Sequence, residues 1–148
     1  MMNRTFEFLE NKSGEPYRLQ TNVYASVTLG KGKSEQRIHL WFDPTKHFHS
    51  FGVLWTPQLR FFMVDAVSIR VFKNNKAMGV SYPDNQVMEV YSSLCNGDSW
   101  ATQGGLVKIN WFHAPFIATF CNFQHIIYSM RDMEKMREVI LKETSHGL

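Results

Sequence analysis

Glu7 lies in a run, Met1-Met2-Asn3-Arg4-Thr5-Phe6-Glu7-Phe8-Leu9-Glu10, whose residue types suit an extended strand. Side chains alternate between the faces of a strand, so Asn3, Thr5 and Glu7 share one face while Phe6 and Phe8 share the other. A carboxyl group on such a face can give or take a proton during bond cleavage. Asn3 and Thr5 bring an amide and a hydroxyl, and neither carries the negative charge that would attack a carbon centre and hold a covalent intermediate. Glu10 has the opposite parity and falls on the phenylalanine side. Further along, Arg18, Gln20, Asn22 and Tyr24 alternate with Tyr17, Leu19, Thr21 and Val23, which gives a polar face suited to sugar hydroxyls and an apolar face suited to a core. His47 and His49 form a His-x-His pair with no third ligand at a suitable spacing, so no metal site is expected.

The elements that must position these groups read as short strands. After the opening strand, Asn11 to Pro16 is a turn, and strands are expected over Arg18 to Val27, Glu35 to Phe42, Phe48 to Trp55, Leu59 to Val64 and Val67 to Phe72. Pro57 and the Asp65-Ala66 corner separate the last three. Val87 to Cys95 and Phe116 to Phe123 supply two more strands around a loop that contains Asn96-Gly97-Asp98 and Gly104-Gly105. Trp41, Trp55 and Trp111 are read as packing residues of strands or strand ends. The tail changes character: Ile126, Ile127, Met130, Met133, Met136, Val139 and Ile140 recur at near-helical spacing among charged residues, which predicts an amphipathic helix over 125–143. The division expected is 1–124 for the β-rich domain and 125–148 for the tail.

The 148 residues suffice for one compact domain, with 44% hydrophobic and 14% aromatic content. Sixteen basic and 13 acidic residues are well mixed and leave a formal charge of +3, which argues against a nucleic-acid partner. No apolar run approaches a membrane span, and the first ten residues lack the basic start and apolar centre of a secretory signal. Cys95 and Cys121 allow at most one bridge and are read as free, buried thiols.

Collinear segments then carry a family resemblance: Phe6-Glu7-Phe8-Leu9, the sequon Asn11-Lys12-Ser13, Gly14-Glu15-Pro16-Tyr17-Arg18-Leu19-Gln20-Thr21-Asn22, Leu40-Trp41-Phe42-Asp43-Pro44-Thr45-Lys46, Ile69-Arg70-Val71-Phe72-Lys73-Asn74 and Trp100-Ala101-Thr102-Gln103-Gly104-Gly105. Over residues 3 to about 124 the chain resembles the plant xyloglucan endotransglucosylase/hydrolases, a branch of the family 16 glycoside hydrolases. The resemblance implies an all-β jelly-roll sandwich, concanavalin-like, here lacking its earlier strands; the short C-terminal α-helix read from periodicity lies where the resemblance ends. It also implies a strand reading His-Asp-Glu-Ile-Asp-Phe-Glu-Phe-Leu-Gly, whose nucleophile, assisting and acid/base carboxylates fall on Asn3, Thr5 and Glu7. Only Glu7 keeps its carboxyl group. Gln20, Asn22, Trp100, Gly104 and Gly105 match substrate-binding positions, while Cys95 stands in place of a second tryptophan, Gln103 in place of an arginine and Ser34 in place of a common basic residue.

The family cleaves and religates the β-1,4-glucan backbone of xyloglucan in the cell wall and uses no cofactor, and the Asn11 sequon of this chain can be glycosylated only if the chain is exported. With Asn3 at the nucleophile position, retaining chemistry is expected to be impaired or lost. A catalytically silent xyloglucan-binding module and a truncated gene product without function of its own stand as alternatives. Xyloglucan or a related β-glucan is the expected partner, with no membrane partner. If the first half of the sandwich is missing, the Phe6/Phe8 side loses cover and sheet edges are exposed to self-association.

Overall fold

The computed structural model describes residues 6–9, 14–24, 34–83 and 89–126. Asn3, Thr5, Glu10 and Asn11 lie outside the described residues, as does residue 127 onward, and with it nearly all of the helix expected over 125–143. The chain divides into two compact units, 1–117 and 118–148.

Among the described residues of the first unit six strands form: β1 (Phe6–Leu9), β2 (Arg18–Thr21), β3 (Gln36–His39), β4 (Phe51–Trp55), β5 (Leu59–Val64) and β6 (Val67–Lys73). They make two antiparallel three-stranded sheets in the orders β1-β2-β3 and β4-β5-β6. Two such sheets agree with a jelly-roll sandwich, in which the inner faces of stacked sheets build the core. Register places Phe8 opposite Leu19 and Leu19 opposite Ile38 on one face. Glu7, Gln20 and Arg37 lie in one row across the sheet on the other face. Leu19, Leu40 and Val64 form the buried centre, with Phe6, Tyr17, Ile38, Phe42, Phe51 and Ile69 packed around it. The Phe6 ring meets Phe51 and Phe62 edge-on, with centroids 5.9 and 5.8 Å apart, and Phe8 meets Phe51 at 4.9 Å. The phenylalanine side of β1 is therefore covered by the second sheet at Phe6, although Phe8 stays half exposed.

Arg70 ties the two sheets together. From β6 its Nη1 donates to the carbonyl and hydroxyl oxygens of Thr21 at 3.1 and 2.8 Å, and its Nη2 donates to the Ser34 hydroxyl at 2.6 Å. The buried guanidinium has its pKa lowered by desolvation, and neutral acceptors rather than a carboxylate satisfy it.

The turns follow their residue types. Thr56 Oγ1 accepts from the backbone N–H groups of Gln58 and Leu59, closing the β4–β5 connection around Pro57. Asp65 and Ala66 take φ of 49° and 65°, the left-handed pair of a two-residue hairpin turn between β5 and β6. Asp65 also clasps the entry to β4: its carboxylate receives His49 Nδ1 at 2.6 Å and the Ser50 backbone N–H at 2.9 Å. These hydrogen bonds hold the Asp65 pKa below its ordinary value, with the His49 bond contributing most.

Several expectations are corrected. Phe116–Phe123 and the described part of Val87–Cys95 contain no strand, and β2 leaves its ladder after Thr21 rather than continuing through Tyr24. β4 begins at Phe51, not Phe48. A β-prone run becomes a strand only when a partner accepts its backbone hydrogen bonds, and among the described residues these runs have none. Cys95 and Cys121 are free but exposed, because the segments that carry them are not packed strands. Trp41 and Trp111 are more than half exposed and pack edge-on, against Phe42 and Phe116 respectively, with Trp111 on a single turn of 3-10 helix, Trp111–His113. His125 and Ile126, the described start of the expected helix, are not helical.

Candidate active site and glucan-binding residues

Sheet register builds the first part of the site. Glu7, Gln20 and Arg37 are direct neighbours on three adjacent strands, so their side chains meet on one face. Gln20 Nε2 donates to Glu7 Oε2 at 3.0 Å, and Arg37 Nε donates to Gln20 Oε1 at 2.6 Å. The expected acid/base residue and an expected glucan-binding amide are thereby brought into direct contact. Gln20 is only 5% exposed and Asn22 3%, so neither is the open surface amide that alternation alone suggested. Just beyond the end of β2, Asn22 Nδ2 donates to Glu35 Oε1 at 3.3 Å and Asn22 Oδ1 accepts the Ser34 backbone N–H at 3.0 Å. Ser34, standing where a basic residue is common, thus serves Asn22 through its backbone and Arg70 through its hydroxyl.

The second part is a loop. Asp98 organises it: its carboxylate accepts the Ile109 backbone N–H at 2.7 Å, and its carbonyl accepts Lys108 Nζ at 2.9 Å. Trp100 and Ala101 return their N–H groups to the Gly97 carbonyl at 3.0 and 2.8 Å, which turns the Trp100 ring outward, 44% exposed. An indole presented in this way can stack on the apolar C–H face of a sugar ring. Gly104 and Gly105 have φ of 70° and 87°. A Cβ at Gly105 would lie 2.4 Å from the Ser99 carbonyl oxygen, whereas one at Gly104 would meet nothing within 4 Å. Gly105 is therefore required for the loop to close beside Trp100, and Gly104 for its backbone angle alone.

Two residues of this site escaped the sequence reading, Arg37 and Glu35. Neither was legible in the sequence: the register that sets Arg37 opposite Gln20 belongs to the pairing of β2 with β3, and Asn22 and Glu35 stand past the ends of their strands. Among the described residues no group of three or more His, Cys, Asp or Glu is placed to hold a metal ion, and no helix is long and apolar enough to cross a membrane. Asn3 and Thr5, the positions where the resemblance leads one to expect carboxylates, lie outside the described residues.

Comparison with known proteins addresses the same segments. The sequence profile described as Glycosyl hydrolases family 16 matches residues 5–113, a span that holds Glu7, both amides and the Trp100 loop. Xyloglucan endotransglucosylase/hydrolase 2 of Glycine max is 53% identical over 126 residues, covering 85% of this chain and 44% of the relative. Xyloglucan endotransglucosylase protein 34 of Populus tremula x Populus tremuloides is 59% identical, and Probable xyloglucan endotransglucosylase/hydrolase protein 5 of Arabidopsis thaliana is 58% identical. Each of these two aligns over 118 residues, which is 80% of this chain and 39% of the relative. The chain thus spans less than half the length of these relatives. The profile match embraces all six strands and the Trp100 loop, and on that ground the chain belongs to the glycosyl hydrolases of family 16.

Proposed function

We propose that this chain binds the β-1,4-glucan backbone of xyloglucan, in the manner of the xyloglucan endotransglucosylase/hydrolases it resembles, and that its share in cleavage and religation is impaired at Asn3. The observation that carries this reading is the Glu7–Gln20 contact, an acid/base carboxyl held by a glucan-binding amide on one sheet face. Trp100 adds a stacking surface for a sugar ring. Glu7 is assigned as the acid that protonates the leaving glycosidic oxygen and as the base that later activates the incoming sugar hydroxyl or water. The partner step needs a carboxylate to attack the anomeric carbon and hold the glycosyl-enzyme, and the Asn3 amide is a far poorer nucleophile. Loss of a nucleophile lowers turnover by several orders of magnitude while leaving binding largely intact. The plant cell wall is the compartment in which this substrate is found.

The Asn3 amide also favours a second reading, a glucan-binding protein with no turnover. One experiment separates the two. Retardation of the unaltered chain in a xyloglucan gel, without transfer to a labelled acceptor, is the expected starting point. Asn3→Glu combined with Thr5→Asp is expected to bring transfer above background, by roughly a hundredfold or more if the missing charges are the limiting defect. Absence of any gain, with retardation preserved, would establish the silent binding module. Absence of retardation in the folded, unaltered chain would overturn xyloglucan as the ligand.

A further inference from the structure

We infer that Arg37 is a positioning residue for the Glu7 carboxyl group, acting through the Gln20 amide. The consequence for sugar chemistry rests on the xyloglucan reading above; the positioning itself does not. The two ends of a glutamine amide are almost the same in shape, so only the donors and acceptors around it decide which way it faces. Arg37 can only donate, and at 2.6 Å its Nε requires Gln20 Oε1 on its side. Gln20 Nε2 is then turned to Glu7, where an ionised carboxylate can only accept, and the contact is 3.0 Å. Both flanking groups therefore select one orientation of the amide.

Register makes the arrangement stiff. Glu7, Gln20 and Arg37 are paired directly across β1, β2 and β3, so their spacing is set by the sheet rather than by loop conformation. Burial of Gln20 limits the chance that water replaces either bond. The guanidinium charge draws electron density toward Gln20 Oε1 and so strengthens the N–H that faces Glu7. A carboxyl oxygen that already accepts an amide N–H is the poorer carrier of a transferable proton. The geometry thus holds Oε2 of Glu7 against the amide. Arg37 touches no reacting atom in this account, yet it sets the orientation of the amide against which the Glu7 carboxyl group is held.

The test is nuclear magnetic resonance on the isotope-labelled full chain without ligand, read from the Gln20 side-chain amide. The unaltered protein is expected to show scalar coupling across the hydrogen bond from Gln20 Nε2 to the Glu7 carboxyl carbon, and its absence would overturn the inference whatever any variant does. In Arg37→Met the coupling is expected to weaken and exchange of the Nε2 protons to rise about tenfold or more. Arg37→Lys, which still donates, is expected to restore the coupling. Arg37→Glu offers a second acceptor in place of a donor and is expected to divide the Nε2 protons between Glu7 and residue 37, with a weakened coupling to Glu7 and a new one to residue 37. A purely structural role for Arg37 would not create that second coupling. Coupling and exchange unchanged in a folded Arg37→Met would overturn the proposal. Retardation in a xyloglucan gel is recorded on the same samples. Coupling that follows the Arg37 series without retardation would remove the xyloglucan reading and uphold the positioning role, whereas retardation with coupling indifferent to Arg37 would do the reverse.

Discussion

Arg60 is the residue whose environment agrees least with its chemistry. It is 2% exposed, sets its Cζ over the Trp55 ring at 3.6 Å from the centroid, and leaves Nε and Nη2 buried without a hydrogen-bond partner. Burial pushes its pKa down to about 10, an effect that the Tyr82 phenol partly opposes. Each buried donor left unmatched costs about 1–3 kcal/mol, and stacking on a desolvated ring returns about 2 kcal/mol. Arg60→Met, which keeps an unbranched side chain of similar length, is therefore expected to stabilise the fold by about 1–2 kcal/mol, measured by thermal unfolding. The sign with pH follows from the direction of the shift. A base whose folded pKa is lowered destabilises the folded state at every pH below that value, and the penalty fades as pH rises through it. The advantage of Arg60→Met should accordingly shrink above about pH 10. Asp65 is the opposite case: its pKa is lowered by His49 and Ser50, so its contribution is complete above the unfolded value of about 3.9 and is lost as pH falls through the folded value. Asp65→Asn is expected to flatten the acid limb of a stability-against-pH curve.

At the scale of elements, the Trp100 loop offers a paired comparison. Gly104 and Gly105 both need a left-handed backbone, so alanine at either strains the chain by about 1–2 kcal/mol. Only at Gly105 does the new methyl also collide with backbone, at the Ser99 carbonyl. Gly105→Ala is therefore expected to lower thermal stability more than Gly104→Ala and to abolish retardation by xyloglucan, while Gly104→Ala weakens it mildly. Equal behaviour of the two variants would show that the loop does not need its close approach at Ser99. The hairpin β5–β6 illustrates the other way a turn is specified: its left-handed pair is Asp65-Ala66, without a glycine, and the Asp65 carboxylate is anchored to His49 and Ser50. Local strain is tolerated there because a longer-range hydrogen bond holds the turn.

For the molecule as a whole, the balance between covered and uncovered apolar surface governs behaviour in solution. The inter-sheet core around Leu19, Leu40 and Val64 is closed, and Phe6 is seated against Phe51 and Phe62. Leu106, Phe112, Ile117, Phe120 and Phe123, in contrast, are all largely exposed, Phe112 at 98%. Among the described residues no strand pairs with the outer edge of β1 or of β3. Open edges and large bare apolar side chains both favour association. Sedimentation velocity is expected to show concentration-dependent self-association of the unaltered chain, reduced by Phe112→Ser with Ile117→Ser. A monomer at all accessible concentrations would contradict this expectation.

Strand alternation was enough to place Glu7 apart from Phe6 and Phe8, and turn residues were enough to separate β4, β5 and β6 at Pro57 and Asp65-Ala66, while collinear motifs carried the family resemblance. These features are local: each depends on neighbouring residues along one strand or turn, and a periodicity of two records them directly. What alternation could not reveal was partnership between segments. Whether Val87–Cys95 or Phe116–Phe123 becomes a strand depends on a neighbour that accepts its hydrogen bonds, and the exposure of Cys95, Cys121, Trp41 and Trp111 follows from whether anything packs over them. The row from Glu7 through Gln20 to Arg37, the Arg70 tie between sheets and the unmatched fork of Arg60 are likewise properties of register and stacking. Tertiary structure alone decided them, because the groups that meet are far apart along the chain and only the pairing of strands and the closing of two sheets bring donor to acceptor.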